Sequence, residues 1–319
     1  MKWFGLTLLC ILCWSATDLF YKKGSELTDK LSHLKLMVWL GIIMAIAAVL
    51  LTPLSELRLS PWQLIVYYRE YIPMAVLYVA ALLCGILGSR YLDASVVSPL
   101  ENVDGVAAAL ILLVYFAATG RLGEESVITP WNVSSILFVA AGVILLGVHE
   151  HRMAVGERNM PEAQRKHPLG ALAFLFPLLY TLVDAGAMVF DSVMLAGGDD
   201  AYVGQFDLLI CESSCFALAG ALSWLYMLAV KKTVYHPFRK SELVKCGAAL
   251  TETVGNVLYA MATVANPLLT PSVSTGYCAL TILGARLFLK EKLTSKQYLC
   301  LALVLIGILL SALSELAAG

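Results

Sequence analysis

Charged side chains are scarce in this sequence. Asp, Glu, Lys and Arg make up 14% of the 319 residues, whereas hydrophobic residues make up 60%. Soluble globular proteins are nearer a quarter charged and half apolar. This composition therefore excludes an ordinary soluble enzyme or binding domain. The formal net charge of −1 gives no sign of a nucleic-acid partner, and we expect none.

Sequence signatures of catalysis and cofactor binding are also missing. The chain has no HExxH, GxSxG, phosphate-loop or dinucleotide-binding signature in a suitable context. His149-Glu-His151 is a weak metal signal, because no third and fourth ligand are evident. The eight cysteines lie in or beside apolar runs, where cysteine behaves as a small apolar residue. We predict no enzyme activity, no cofactor and no metal site.

Long apolar runs are what the sequence has in abundance. Crossing the core of a bilayer takes about 20 apolar residues in a helix. The connections between the runs are short, which leaves no room for a soluble domain. We predict an all-α integral membrane protein with ten transmembrane helices. Their approximate spans are 3–21, 36–54, 71–89, 96–117, 132–149, 169–190, 204–230, 243–264, 271–289 and 297–315.

The ten runs divide into two similar halves. Trp14 to Asp18 in the first run has a counterpart in Tyr180 to Asp184 in the sixth, about 166 residues later. Each half holds five runs, and five is odd, so the second copy enters the bilayer from the opposite side. We predict one membrane domain of two inverted five-helix repeats, which is a common architecture of alternating-access transporters. The predicted boundaries are 1–150 for the first repeat, 151–168 for a polar linker and 169–319 for the second repeat.

Ser-Pro and Thr-Pro pairs begin corresponding runs in the two halves. We interpret Ser98 and Thr270 as N-caps, because their hydroxyls accept a hydrogen bond from an orphan N–H. Proline at the next position has no N–H to leave unsatisfied. Pro99 and Pro271 are therefore predicted helix-break positions beside a cavity, since such breaks survive in a bilayer only where freed backbone groups are satisfied. The alternative, a pair of caps at the membrane surface, stays open.

Ionisable residues inside the predicted spans are mostly acidic. Such residues are costly in a bilayer and mark functional sites by default, although packing between helices is the alternative for each one. Asp191 and Asp207 are the weaker candidates, because they lie near span ends. An acidic cavity with aromatic walls attracts cations, and its carboxyl groups can carry protons. The predicted substrate-binding residues are Trp14, Asp18, Glu101, Asp104, Tyr180, Asp184, Glu252, Asn256 and Tyr277, and the predicted proton-coupling residues are Asp18, Asp184, Glu101 and Glu252.

With these features the chain resembles the drug/metabolite transporter superfamily, in its ten-helix EamA-like branch. The resemblance rests on the tandem five-helix repeat, the Trp14–Asp18 segment, the Pro99 and Pro271 positions, the Leu287–Thr294 segment and the final helix with Gly307. It implies a secondary carrier in a bacterial inner membrane, driven by protons or by exchange. It also implies a central cavity lined by helices one, three, four, six, eight and nine. Such relatives move amino acids, other metabolites, cationic drugs, choline or nucleotide sugars.

The distribution of basic residues bears on orientation. Lys and Arg concentrate in the connections after spans one, three, five, seven and nine. The positive-inside rule makes these connections cytoplasmic and puts both termini outside. Members of the resembled superfamily usually have both termini in the cytoplasm, so orientation and direction of transport stay open.

The sequence thus favours a multi-pass transporter of a small cationic or zwitterionic solute, coupled to protons or to a counter-solute. Its expected partners are that solute and the lipid bilayer, and a monomer is sufficient because both halves lie in one chain. The first alternative is a carrier of an anionic or neutral metabolite, whose cavity would need Arg90 or Arg286. A non-transporting membrane protein is the second alternative.

Overall fold

The structure, a computed structural model, describes residues 2–26, 28–121, 130–156, 170–196, 201–290 and 294–318. All regular secondary structure in these ranges is helical. Most of the predicted linker and the centre of the Leu287–Thr294 segment lie outside the described residues. In chain order the α-helices are α1 (Lys2–Gly24), α2 (Ser32–Leu51), α3 (Pro61–Tyr67), α4 (Ile72–Tyr91), α5 (Ala94–Glu101), α6 (Val103–Ala118), α7 (Pro130–Gly156), α8 (Leu175–Leu195), α9 (Gln205–Ala229), α10 (Leu243–Ala265), α11 (Leu269–Ser274), α12 (Tyr277–Gly284) and α13 (Ser295–Ala318).

Seven helical segments in the described ranges are long and apolar enough to cross a membrane, by length and composition. These features are those of a multi-pass α-helical membrane protein. The seven segments are Trp3–Gly24, Ser32–Leu54, Ile72–Tyr91, Ala94–Ala118, Leu172–Leu195, Gln205–Ala229 and Leu269–Leu289.

The other three predicted spans are also helical but are not among these seven segments. Spans five and ten fall within α7 and α13, whose apolar parts, Val133–Leu146 and Ser295–Leu310, are shorter. Span eight falls within α10, which carries the polar side chains of Lys245, Glu252 and Asn256 among its buried residues. One polar face is enough to lower the mean hydropathy of a helix that is otherwise apolar.

The two proline-containing helices differ from the sequence prediction. Ser98 is not an N-cap: α5 begins at Ala94 after an extended Asp93, so Pro99 lies inside the helix. The chain then breaks at Asn102 before α6 begins. Thr270 is not an N-cap either, because α11 begins at Leu269 after Leu268, and Asn266 Oδ1 accepts a hydrogen bond from Leu269 N at 3.0 Å. The second break comes after Ser274, between α11 and α12.

Side chains satisfy backbone carbonyl groups at both breaks. Asn102 Nδ2 donates to Ser98 O at 2.7 Å, and Thr275 Oγ1 donates to Ser272 O at 2.6 Å. Backbone polar groups inside a membrane protein need such partners, because lipid provides none. Both breaks lie a few residues after the prolines, Pro99 and Pro271.

The two breaks lie against each other. A Cβ atom added to Gly105, in the first turn of α6, would lie 2.3 Å from Thr275 Cγ2 and 2.5 Å from Pro271 O. No side chain larger than hydrogen fits at this contact without displacing the backbone of the other helix. Gly105 therefore brings α6 to the break between α11 and α12.

Glycines also set the closest helix crossings. The helices α2 and α9 cross at Gly41 and Gly220, where an added Cβ on either residue would lie 2.7 Å from the Cα of the other. The helices α7 and α13 also cross at two glycines, with Gly142 packed against Cys300 O and Gly307 packed against Ser135 O. Small residues allow helix backbones to approach closely in membranes, where packing drives helix association. These crossings join the first half of the chain to the second.

Contacts between the halves are reciprocal. An added Cβ on Gly142 would lie 2.6 Å from Val304 Cγ2, and one on Gly307 would lie 2.6 Å from Val139 Cγ2. In the same way Trp14 lies over Gly255 of α10, and its sequence counterpart Tyr180 lies over Gly85 of α4. Each contact thus has a partner contact in which the two halves exchange roles.

Charged side chains gather where α1 ends and α2 begins. Arg90 is buried there, and its guanidinium donates to Ser32 Oγ and to Asp29 O at 2.6 Å. Lys22 Nζ donates to Leu92 O at 2.6 Å. These bonds tie the connection between α1 and α2 to the end of α4.

The Asp29 carboxylate in this connection gives the fold a dependence on pH. Burial raises the pKa of Asp29, but hydrogen bonds from Lys35 Nζ at 2.7 Å and Leu31 N at 3.0 Å outweigh it and hold the pKa below its ordinary value. A lowered pKa stabilises the fold above the unfolded-state pKa of about 3.9, and the stabilisation is lost as the pH falls through the lower, folded-state pKa. We expect Asp29→Asn to lower the midpoint of thermal unfolding at about pH 6 and to change it progressively less towards about pH 3. A difference that is constant across this range would contradict the role given to Asp29.

Candidate functional site

A central cavity, partly open to the surroundings, lies among helices from both halves of the chain. All nine residues predicted to bind substrate line the cavity, although their role in binding stays a prediction. They come from α1 (Trp14 and Asp18), α5 (Glu101), α6 (Asp104), α8 (Tyr180 and Asp184), α10 (Glu252 and Asn256) and α12 (Tyr277).

The charge of the cavity wall is one-sided. Seven carboxyl groups line the cavity, and in the part of the chain that the structure describes no Lys, Arg or His joins them. A wall of this kind attracts positive charge and repels anions. The seven are Asp18, Glu101, Asp104, Asp184, Asp191, Glu212 and Glu252.

Two of these carboxyl groups interact directly. Asp104 at the start of α6 and Asp184 in the middle of α8 are both buried and close enough for their charges to interact. Two adjacent carboxylates repel each other strongly in a low-dielectric environment. A proton or a bound cation between them offsets that repulsion, so this pair is suited to exchange one for the other.

Two carboxyl oxygens of the cavity wall have unused hydrogen-bonding capacity. Among the described residues, neither Glu101 Oε1 nor Asp184 Oδ1 has a hydrogen-bond partner, although both residues are at most 4% exposed. Buried polar atoms are normally paired, and an unpaired one calls for an explanation. Both residues line the cavity, where a bound solute would provide donors.

A hydrogen-bonded chain crosses from α1 to α9 through α10. Trp14 Nε1 donates to Asn256 Oδ1 at 3.1 Å, and Asn256 Nδ2 donates to Glu212 Oε1 at 2.9 Å. Beside this chain, Tyr78 on α4 donates to Glu252 Oε1 at 3.1 Å. These bonds fix the orientation of the amide and of two carboxyl groups in the cavity wall.

Aromatic rings form a second component of the wall. The rings of Tyr259 and Tyr277 lie against Trp14, with centroid distances of 5.2 and 5.7 Å. The face of an aromatic ring attracts cations and also packs well against methylene groups. The cavity therefore combines carboxyl groups with surfaces that accept the apolar part of an organic cation.

Asp18 connects the first helix to the ninth predicted span. Its Oδ2 accepts a hydrogen bond from Thr281 Oγ1 of α12 at 3.1 Å. Its sequence counterpart Asp184 lies against Asp104 of α6, in the fourth predicted span. The two matched acids therefore each contact one of the two broken helices.

Comparisons with known proteins show the fold alone. No protein-family profile matches the chain, and no curated protein matches it. A solved crystal structure, described only as that of a protein, matches with a TM-score of 0.58 and 14% sequence identity. The match covers 97% of this chain and 95% of the other. Because the identity is so low, the likeness carries the architecture and nothing about the solute.

Several cavity residues escaped the sequence prediction. Tyr78 lies in an uncharged stretch, so nothing in its surroundings marked it. Asp191 ranked low because it lies near a span end, yet it lines the cavity on the same face of α8 as Asp184. Glu212 gave a signal as an intramembrane acid on α9, a helix that the family resemblance does not place at the cavity. Asp207, also ranked low, does not line this cavity and accepts a hydrogen bond from Tyr68 at 3.3 Å.

The two arginines that an anion carrier would need do not line the cavity. Arg90 is buried in the charged cluster at the end of α4. Arg286 is exposed, with its guanidinium 5.8 Å from the centre of the Tyr298 ring. In the described part of the chain, no set of three or more His, Cys, Asp or Glu side chains is arranged to hold a metal ion.

Proposed function

We propose that this protein is a secondary active transporter of a small cationic or zwitterionic solute, such as an amino acid, an amine or a quaternary ammonium compound. In this proposal ten helices cross a bacterial inner membrane as two inverted five-helix repeats. The solute binds in the central cavity and crosses by alternating access, in exchange for protons or for a counter-solute. The chain would be an EamA-like member of the drug/metabolite transporter superfamily.

One observation carries the proposal. Seven carboxyl groups and several aromatic rings line a single cavity, and no basic side chain among the described residues balances them. Intramembrane acids cost stability, so such a concentration needs a use. Binding and moving positive charge is the use that fits the residue types present.

The packing of the two halves supports alternating access. The reciprocal pairs, Trp14 over Gly255 and Tyr180 over Gly85, relate the first half to the second as an inverted repeat would. The cavity lies among helices of both halves. Transporters built in this way expose a site at the repeat interface first to one side of the membrane and then to the other.

The adjoining carboxyl groups support coupling to protons. Asp104 and Asp184 cannot both carry an unbalanced negative charge at low cost. A cationic solute replaces the proton when it binds, and a proton replaces the solute when it leaves. This exchange lets a proton gradient drive the solute, and it also allows one solute to replace another.

The anion-carrier alternative has less support. It requires a basic residue in contact with the solute, and both candidate arginines lie away from the cavity. A non-transporting protein would leave the concentration of buried acids without a use.

Transport in liposomes tests the proposed function. We expect the purified, reconstituted protein to take up a cationic or zwitterionic solute from pools of amino acids, amines and quaternary ammonium compounds. An imposed pH gradient should change the rate. Electroneutral exchange is detected by counterflow of radiolabelled members of each pool.

The pools and one matched variant separate the alternatives. Uptake of nucleotide sugars or other anions, lost in Arg286→Gln, would overturn the proposal in favour of the anion carrier. Failure of every pool in both current and counterflow recordings would favour a non-transport role.

A further inference from the structure

The cavity wall points to the shape of the solute as well as to its charge. We propose that the solute is a linear aliphatic amine with an ammonium group at each end, bound lengthwise between Asp184 and Asp191. This inference rests on the proposed function, because it assumes that the cavity binds the transported cation.

The side of α8 that lines the cavity is complementary to such a molecule. Asp184 and Asp191 both line the cavity, and Ala187 and Met188 line it between them. These four positions share one face of the helix. Seven residues of helix rise about 10 Å. The face therefore presents a carboxyl group, an apolar strip and a second carboxyl group, which complements ammonium, methylene chain and ammonium.

Each end of this strip has a second carboxyl group nearby. At one end Asp104 lies against Asp184. At the other end Glu212 of α9 is close enough to Asp191 for their charges to interact. An ammonium group has three donors, so one placed between two carboxylates makes several charge-assisted hydrogen bonds.

The wall facing the strip suits a methylene chain. Ala260 of α10 and Leu209 of α9 line the cavity with the ring of Tyr259. Apolar atoms that leave water for such a surface stabilise the complex in proportion to the area buried. A compact cation, such as a metal ion, would leave this apolar surface unused.

The unpartnered oxygens indicate where one end of the solute binds. Asp184 Oδ1 and Glu101 Oε1 are buried, line the cavity and have no hydrogen-bond partner among the described residues. An ammonium group at this end of the strip supplies the missing donors. At least two of the clustered acids therefore retain an acceptor oxygen that is available to a bound ammonium group.

Calorimetric titration of the purified full-length protein with two probes of equal chain length tests the inference. The probes are 1,8-diaminooctane and octylamine, which differ in one ammonium group. We expect the diamine to have a dissociation constant at least about tenfold lower, because a hydrogen bond to a charged group contributes enough free energy for one decade in affinity. Equal dissociation constants would overturn the inference.

One variant assigns the second ammonium site and another serves as its control. Asp191→Asn should raise the dissociation constant of the diamine about tenfold and that of octylamine by clearly less, so that the preference between them shrinks. Asp207→Asn removes a buried acid that lies outside the cavity wall and should leave the preference unchanged. An undiminished preference in Asp191→Asn would place the second ammonium elsewhere and overturn the lengthwise pose.

Chain length gives a measurement that needs no variant. Affinity for the unmodified protein should rise from 1,4-diaminobutane to 1,8-diaminooctane as the nitrogens come to match the separation of the two aspartates. A flat series, or tighter binding of Mg²⁺ alone than of any diamine, would overturn the inference. Transport of choline or tetraethylammonium without any preference for diamines would overturn it and leave the proposed function standing. Transport of anions with no binding of any amine would overturn both.

Discussion

Asp184→Asn should reduce the rate of solute uptake into liposomes at least about a hundredfold, because a lost partner of a buried charge costs several kcal/mol. The carboxyl group is buried, adjoins Asp104 and retains an unpartnered oxygen that faces the cavity. Asparagine has nearly the same shape, but it accepts neither a proton nor a full ion pair. We expect Asp18→Asn to have an effect of similar size, since Asp18 holds the matched position in the other half.

The control for these variants is Asp207→Asn. Asp207 is fully buried on α9 but does not line the cavity, so its replacement tests whether the loss of any buried acid impairs transport. Size-exclusion profiles and thermal unfolding of each variant report whether the fold is retained. Full uptake in both Asp18→Asn and Asp184→Asn would remove these residues from the mechanism.

The second large effect is expected at the crossing of α2 and α9. Gly220→Leu should lower the free energy of unfolding by about 3 kcal/mol or more, since overpacking a tight contact commonly costs 1–3 kcal/mol. An added Cβ on Gly220 would lie 2.7 Å from Gly41 Cα and 2.8 Å from Met37 O. Both obstacles are backbone atoms, which cannot rotate away as a side chain can. Thermal unfolding in detergent measures the loss, and Gly41→Leu should show a similar one.

Gly186→Leu is the matched control for the glycine variants. Gly186 lies within α8, is exposed, and has no atom within 4 Å of an added Cβ. The Gly186→Leu substitution removes the conformational freedom of a helical glycine without creating a steric clash. A loss of stability in Gly186→Leu as large as that in Gly220→Leu would show that close packing is not the cause.

The helical architecture was largely predictable, because apolar length is a direct consequence of the bilayer. The ten predicted spans are largely helical in the described residues, the fourth and ninth with a break, and seven segments reach the length and hydropathy of a membrane crossing. The α10 helix falls short for a reason visible in the sequence: Glu252 and Asn256, both among the predicted binding residues, lie inside it. The residues that give α10 its predicted function also weaken its membrane signal.

The helix breaks were harder to place. Proline interrupts the backbone hydrogen bonds of a helix, but the sequence does not show at which nearby residue the helix then breaks. In the first half the break comes at Asn102, whose side-chain amide donates to Ser98 O one turn earlier. In the second half the helix begins one residue before Thr270, at Leu269, whose N–H donates to Asn266 Oδ1. Short-range signals therefore located each break to within a few residues and no better.

Residues of the cavity wall were predictable where an acid lies in an apolar run. Placing an ionisable side chain in a bilayer costs free energy, so its presence indicates a function. Asp18 and Asp184 carry that signal twice through the repeat. Tyr78 does not, since tyrosine is common in membrane helices and nothing in the sequence aims its hydroxyl at Glu252. Polar groups on aromatic side chains become recognisable only when the neighbouring helices are in place.

The contact of Gly105 with Thr275 and Pro271 makes the two broken helices one mechanical joint. The backbone of Pro271 packs directly against Gly105, so a change of bend at one break displaces the backbone at the other. Packed contacts of this kind switch between discrete arrangements rather than deform continuously. Glu101 and Asp104 flank one break and Tyr277 follows the other, so charged and aromatic residues of the cavity wall lie beside this joint. We therefore expect the two breaks to rearrange together rather than as two independent hinges.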